Sequence, residues 1–163
     1  MMETVNIHAS CVSLDDAGKA FGAVRNCGIL ILGESGAGKS ALVLQLLAAG
    51  ATLVADDRTE LFVKTHALQA RAPRNLRGLL EIRGAGIVKF SFRASVRVAM
   101  VVRLTAKKPP RMPERTFYAP PGGLSRVAPV PLLAMKSNDI AAAAKLAAAA
   151  SAFANNGFLD NAP

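Results

Sequence analysis

Gly28-Ile29-Leu30-Ile31-Leu32-Gly33-Glu34-Ser35-Gly36-Ala37-Gly38-Lys39-Ser40 is the stretch on which the fold of this chain turns. Residues 28–32 form a short, wholly apolar run that ends in glycine, the pattern of a strand buried on both faces of a sheet. Residues 33–40 then match G-x-x-x-x-G-K-[S/T] at every defined position. Gly33, Gly36 and Gly38 let the backbone N–H groups of the loop, including those of Glu34, Ser35 and Ala37, turn inward around an anion. Lys39 brings a cation to the β and γ oxygens of a triphosphate, and Ser40 offers a hydroxyl to magnesium. Beyond the loop the period changes. Leu42, Val43, Leu46 and Leu47 recur at helical spacing, and Gly50 stands where a helix C′ residue belongs. A strand, a glycine loop and a helix in this order imply a site for a nucleoside triphosphate, because the helix aims its N-terminus at the phosphates.

On the N-terminal side, residues 4–14 alternate loosely as a strand, residues 15–19 read as a turn, and residues 20–24 as the returning strand of a hairpin. On the C-terminal side, residues 51–55 read as a strand that stops at Asp56-Asp57, sixteen to seventeen residues after Ser40. In a parallel sheet that strand end lies beside the phosphate loop. Two adjacent carboxylates there can divide their work between a metal and a proton. Residues 60–64 read as a strand, 67–76 as a polar loop with Pro73, and 86–104 as one or two long strands. Residues 107–131 hold most of the prolines and Gly122-Gly123, the composition of a loop, with a short strand expected at 116–118. An alanine-rich helix is expected over 138–156, capped by Ser137 or Asn138, with Asp139 in its first turn and Gly157 at its end.

With 163 residues and 52% apolar side chains, the chain has the size and composition of one globular domain. No apolar run approaches the roughly 20 residues that span a bilayer. The N-terminus lacks the basic start and apolar block of a secretory signal, so a cytoplasmic location is expected. Cys11 and Cys27 read as two reduced apolar thiols on strands. The net charge of +9 is uneven: from Lys64 to Arg115 there are thirteen Lys/Arg against Glu81 and Glu114. Such a stretch could meet nucleic acid, an acidic protein or phosphates, or form a solvated strand face. With no Trp and one Tyr, single-strand base stacking is poorly supported.

Two further strings, Leu53-Val54-Ala55-Asp56-Asp57 and Glu81-Ile82-Arg83-Gly84-Ala85-Gly86-Ile87, make a family recognisable. With the loop at 33–40, they resemble the catalytic domain of HPr kinase/phosphorylase, which phosphorylates a serine of the phosphocarrier HPr. The resemblance covers about residues 8–88. It implies an α/β P-loop domain of the phosphoenolpyruvate-carboxykinase-like type with a C-terminal helix, the whole of 1–163 being one catalytic domain. It also implies ATP and Mg2+ as cofactors, an HPr-like phosphocarrier as partner, and a homo-oligomer. Under it, His8 matches an active-site histidine, Lys39 the phosphate-binding lysine and Ser40 a magnesium ligand. Asp57 matches the carboxylate that accepts the serine proton, with Asp56 beside it toward the metal. Glu81 matches a second magnesium ligand, and Arg115, in Glu114-Arg115, a catalytic arginine.

The chain also departs from the family pattern. No room is left before residue 8 for the N-terminal domain of larger members, so a short form is expected. Ala134-Met135-Lys136-Ser137-Asn138-Asp139-Ile140-Ala141 stands where the family has P-x-x-G-R-N-x-A, a loop tied to dephosphorylation. Kinase activity is therefore expected to exceed dephosphorylation. The competing readings are another P-loop small-molecule kinase or NTPase switch and, from the charge, a basic nucleic-acid-binding module.

Overall fold

The computed structural model of the chain describes residues 2–23 and 26–158. Among these residues eleven strands run in the order β1 (Thr4–His8), β2 (Ser10–Ser13), β3 (Gly28–Leu32), β4 (Thr52–Ala55), β5 (Arg58–Lys64), β6 (Ala67–Arg71), β7 (Leu79–Ile82), β8 (Gly86–Lys89), β9 (Val96–Thr105), β10 (Thr116–Tyr118) and β11 (Val130–Lys136). Helix α1 (Lys39–Ala48) follows β3, and α2 (Ala142–Ala154) closes the described chain. The expected α/β class with a C-terminal helix is what the structure has.

A nine-stranded sheet is ordered β1-β5-β6-β9-β3-β2-β4, with β11 parallel to β9 and β10 antiparallel to β11. Strand β3 is parallel to β9 but antiparallel to β2, and β2 is antiparallel to β4. The sheet is therefore mixed rather than parallel. Strands β3 and β4 still run the same way, one strand apart, so both end at the same edge.

Burial follows from the residue types. Ile29, Leu30 and Ile31 are fully buried, as a strand covered on both faces requires. Ile29 and Ile31 face a core shared with Leu42, Val43 and Leu46 of α1 and Leu146, Ala147 and Ala150 of α2. The alanines of α2 are thus a packed helix face. Leu30 points the other way, into a second core with Val54, Leu61, Leu68 and Val101.

Strand pairs β1–β2 and β4–β5 are each nearly continuous and pass from one part of the sheet to the other at Ala9 and at Asp56-Asp57. The kink at Ala9 is held by Thr59, whose buried hydroxyl donates to the Ala9 carbonyl at 2.8 Å. Around this corner the chain puts its polar residues.

Several expectations are corrected. No returning strand follows residues 15–19; a 3-10 turn spans Asp15–Phe21 and ends at Gly22 in the left-handed region, with Val24 outside the described residues. The partner of β2 is β3 itself. Residues 67–71 are a strand, joined to β5 through Thr65 and His66, both with positive φ. Residues 130–136 are also a strand. Helix α2 starts at Ala142, later than expected, and no side chain caps it; Asp139 accepts from the Ala141 N–H at 2.9 Å. Cys11 lies on β2, whereas Cys27 precedes β3; both are buried free thiols, and burial pushes both above the ordinary thiol range. No described helix is long and apolar enough to cross a membrane.

Candidate functional site

The loop between β3 and α1 is shaped by its glycines. Gly36 and Gly38 hold φ of +79° and +96°, and nothing lies within 4 Å of where a Cβ would stand on either. Both glycines line an open cleft beside the loop. The first N–H groups of a helix have no intrahelical partner. In α1, Leu42 N–H bonds back to Gly38 at 3.0 Å, so residues 39–41 present N–H groups toward that opening.

Lys39, only 6% exposed, crosses beneath the loop. Its ammonium donates to the carbonyls of Gly33 (2.8 Å) and Glu34 (2.9 Å) and contacts His8 Nε2 at 3.0 Å. An ammonium only donates, so His8 Nε2 accepts and the ring N–H sits on Nδ1. Nδ1 lies 3.1 Å from the Asp57 carbonyl and 3.2 Å from Asp57 Oδ1. A chain of polar contacts therefore runs from Lys39 through His8 to Asp57. Burial pushes the Lys39 ammonium below the ordinary lysine range, and the charges of Asp57 and Asp56 oppose that shift.

Asp56 and Asp57, adjacent in sequence, have different surroundings. Asp56 is 7% exposed and accepts from Ser10 at 2.7 Å and from Ser40 at 3.0 and 3.1 Å. Asp57 is exposed, with φ +63°, and the Arg58 N–H closes a tight turn onto the Asp56 carbonyl at 2.7 Å. A left-handed non-glycine residue costs on the order of 1–3 kcal/mol and persists only where its neighbours hold it. The turn aims the two carboxylates apart, one at Ser40 and one at His8 on the edge of the open cleft.

His8, Lys39, Ser40, Asp57 and Glu81 line one cleft of about 360 Å³, together with Ser35, Gly36 and Gly38 of the loop. Glu81 reaches it from β7, which pairs with β8 in a separate two-stranded sheet. The same cleft is lined by Arg83, a cation that the sequence reading quoted in its motif without giving it a role. Ser10, which braces Asp56, was also missed; nothing in its spacing marks it. Arg115 lies elsewhere. Its guanidinium stands 5.7 Å from the Phe158 ring, and it lines a different cleft with Arg97 and Val98, at the end of β9 away from the loop.

The donor set suits magnesium. Ser40, Asp56 and Glu81 offer hard oxygens, and Ser40 and Asp56 already point at each other. Among the described residues, no three His, Cys, Asp or Glu side chains are grouped to hold a metal. The protein thus offers a partial shell, which fits an ion that usually completes its coordination with water and substrate phosphates.

Comparison with known proteins meets this geometry. Residues 8–117 match the family model described as HPr Serine kinase C-terminal domain. The chain is 42% identical over 89 residues to the HPr kinase/phosphorylase of Leptothrix cholodnii, covering 50% of this chain and 27% of that protein. It is 39% identical over 102 residues to that of Polaromonas naphthalenivorans, covering 57% of this chain and 32% of that one. The chain thus spans about a third or less of the length of these relatives. A solved structure, the Hpr(Ser) kinase/phosphatase from Coxiella burnetii, superposes with a TM-score of 0.65 at 22% identity, covering 94% of this chain and 95% of that one. That likeness shows the fold. The chain belongs to the HPr serine kinase C-terminal domain family.

Proposed function

We propose that the chain is a catalytic domain that transfers the γ-phosphoryl group of ATP, with Mg2+, to a serine of an HPr-like phosphocarrier. The observation that carries this reading is the meeting of Lys39, Ser40, His8, Asp57 and Glu81 in one cleft beside the glycine loop.

Phosphoryl transfer asks for positioning, neutralised charge and an oriented nucleophile. Loop N–H groups and the α1 N-terminus cradle the phosphates. Lys39 exchanges the carbonyls of Gly33 and Glu34, and His8, for phosphate oxygens. Ser40 and Glu81 ligate magnesium, and Asp56 orients Ser40. Held there, magnesium would supply positive charge to offset that of the phosphates. Asp57 receives the proton of the attacking serine as its Oγ–P bond forms and the bond to ADP breaks. His8 holds the Asp57 carboxylate through Nδ1–H. Arg115 has no place in this cleft within one chain; a part in transfer would come from a second copy, in line with the homo-oligomer that the resemblance implies.

The test is to incubate the protein with γ-labelled ATP, magnesium and the host's phosphocarriers, then locate the label. Label on one carrier serine supports the reading. ATP hydrolysis with no labelled carrier would turn it to an NTPase switch. Because Ser137 and Asn138 stand where the family has glycine and arginine, transfer to the carrier should outpace phosphate-driven loss of label. Rates that match in both directions would overturn that expectation.

A further inference from the structure

The glycine loop has a second flank that the proposed transfer leaves unused. On its first flank stand three carboxylates, Asp57 and Glu81 in the cleft and Asp56 behind Ser40. The second flank is a wider cleft of about 770 Å³, between residues 33–37 and the carboxyl ends of β9 and β11. Its lining includes Arg103, Leu104, Thr105, Ala106 and Ser137. Its lining cation is Arg103, where the first flank sets Lys39, Arg83 and His8 beside its carboxylates. Arg103 faces it, exposed Lys107, Lys108 and Lys136 stand at the strand ends beside it, and its acidic lining residue is Glu34.

Arg103 is placed by backbone. It pairs in register with Leu32, the last residue of β3, so its Cα lies about one strand spacing, roughly 4.8 Å, from the entry of the loop. Its guanidinium is close enough to Tyr118 to oppose the upward shift that burial gives the phenol. The floor is firm: Ser137 N–H donates to the Thr105 carbonyl at 2.8 Å, and Thr105 Oγ1 to the Lys107 carbonyl at 2.8 Å. Leu104 and Ala37 press against Gly33 and give the cleft apolar walls.

A nucleoside triphosphate held by Lys39 and the loop has two ends. The end that reacts needs metal and carboxylates, which the first flank supplies. The other end must leave by the opposite side, where strands parallel to β3 finish and the walls are apolar and basic. We propose that the nucleoside of the triphosphate lies in this second cleft and that Arg103 holds it there, setting preference for a nucleotide over a bare polyphosphate. This rests on the nucleotide reading above and adds to it a residue that the motif does not contain.

Binding by calorimetry, with magnesium, of a non-hydrolysable ATP analogue and of inorganic tripolyphosphate tests it. Losing a hydrogen bond from a charged group costs about tenfold or more in affinity. Arg103→Ala should therefore weaken the analogue about tenfold or more and leave tripolyphosphate within twofold. Arg103→Gln, which keeps most of the side chain and its packing, should do the same. Equal weakening of both ligands would put Arg103 on the phosphates and overturn the nucleoside assignment, and no weakening of either would overturn it outright. Lys39→Ala separates the two levels. If Lys39→Ala weakens both ligands while the Arg103 variants bind as the parent does, the inference alone fails. If Lys39→Ala binds both normally, the nucleotide reading fails with it.

Discussion

The two ends of β9 carry charge in different ways. At its carboxyl end, beside the glycine loop, Lys39 and Asp56 are 6% and 7% exposed, and each is held by short hydrogen bonds to strands or to the loop. At its amino end, Arg97, Arg111 and Arg115 line a cleft of about 870 Å³ beside Phe117 and Phe158, and all three are exposed. A charge withdrawn from water must be paired or hydrogen-bonded, so its geometry is dictated by its partners. For an arginine that stays in water, any such partner is worth little and fixes its geometry less. The first end therefore has fixed chemistry, and the second has surface. Substitutions at each end should differ accordingly.

The largest effect is expected at Asp57. Asp57→Asn keeps the shape but removes the proton acceptor, and general-base contributions are about 10²- to 10⁴-fold, so transfer to the carrier should fall within that range. ATP should still bind, because the loop and Lys39 remain. Asp56→Asn should act instead through Ser40 and the metal, raising the magnesium concentration needed for half-maximal rate. Rates and magnesium titrations of both variants check the assignment. A dead Asp56→Asn beside an active Asp57→Asn would reverse it.

Lys39→Ala comes next. Removing one preorganised donor from developing charge costs about 10²- to 10³-fold in kcat, and the loss should extend to ATP affinity. Circular dichroism should show the fold intact. By contrast, Arg115→Ala should change transfer less than about threefold in an isolated chain, as surface substitutions usually do. A loss of 10²-fold would break the comparison between the two ends, and would mean that Arg115 reaches the phosphates of another copy. Dependence of that loss on protein concentration would identify the second copy.

The sequence was legible where local pattern and tertiary demand agree. The apolar run 28–32, the loop 33–40 and the helix behind them form one local unit, so their reading needed no distant partner. The short strand at 116–118 was also read correctly inside a proline-rich loop. Strand β6 was missed because two of its five residues are alanine, which hides the alternation that its burial shows at Leu68 and Ala70. Strand β11 was hidden by Pro131, which argues against a central strand. The structure accommodates that proline because pairing with β9 begins only at Leu132. The hairpin expected over 15–24 failed because β2 had its antiparallel partner in β3, past the 3-10 turn. Of the candidate site, His8, Lys39, Ser40, Asp57 and Glu81 line one cleft, with Asp56 behind Ser40. Arg115, placed by spacing within a long loop, did not join them. Ser10 braces Asp56 and Arg83 lines the cleft, placements that only the fold supplies.

The smallest effect belongs to the charged anchor at the far end of the molecule. Asp15, at φ +42°, ties the end of β2 to the segment before β9: Ser13 donates to its Oδ1 at 2.9 Å and Arg93 to the same oxygen at 2.8 Å. Burial alone would raise this carboxyl. Hydrogen bonds from Thr52, Arg93 and Ser13, with the Arg93 charge, outweigh it and hold the carboxyl below its ordinary value of 3.8. Asp15→Asn keeps the shape but turns N–H groups toward Arg93. Hydrogen bonds to charged groups are worth about 1.5–3 kcal/mol, and exposure of Arg93 discounts this to about 1–2 kcal/mol. In a chain of this size that lowers Tm by about 2–8 °C. The sign with pH follows from the lowered value. The folded state binds the proton less readily than the unfolded one, so the stabilisation is full above about pH 4 and fades as pH falls through the folded value. The Tm gap between parent and Asp15→Asn should therefore be constant from pH 7 to pH 5 and close below pH 4. Transfer activity should stay within about twofold throughout, since Asp15 does not line the cleft beside the loop. A gap that persists undiminished at low pH would show that Asp15 acts by shape alone. A large loss of activity would show that the two ends of the sheet are coupled.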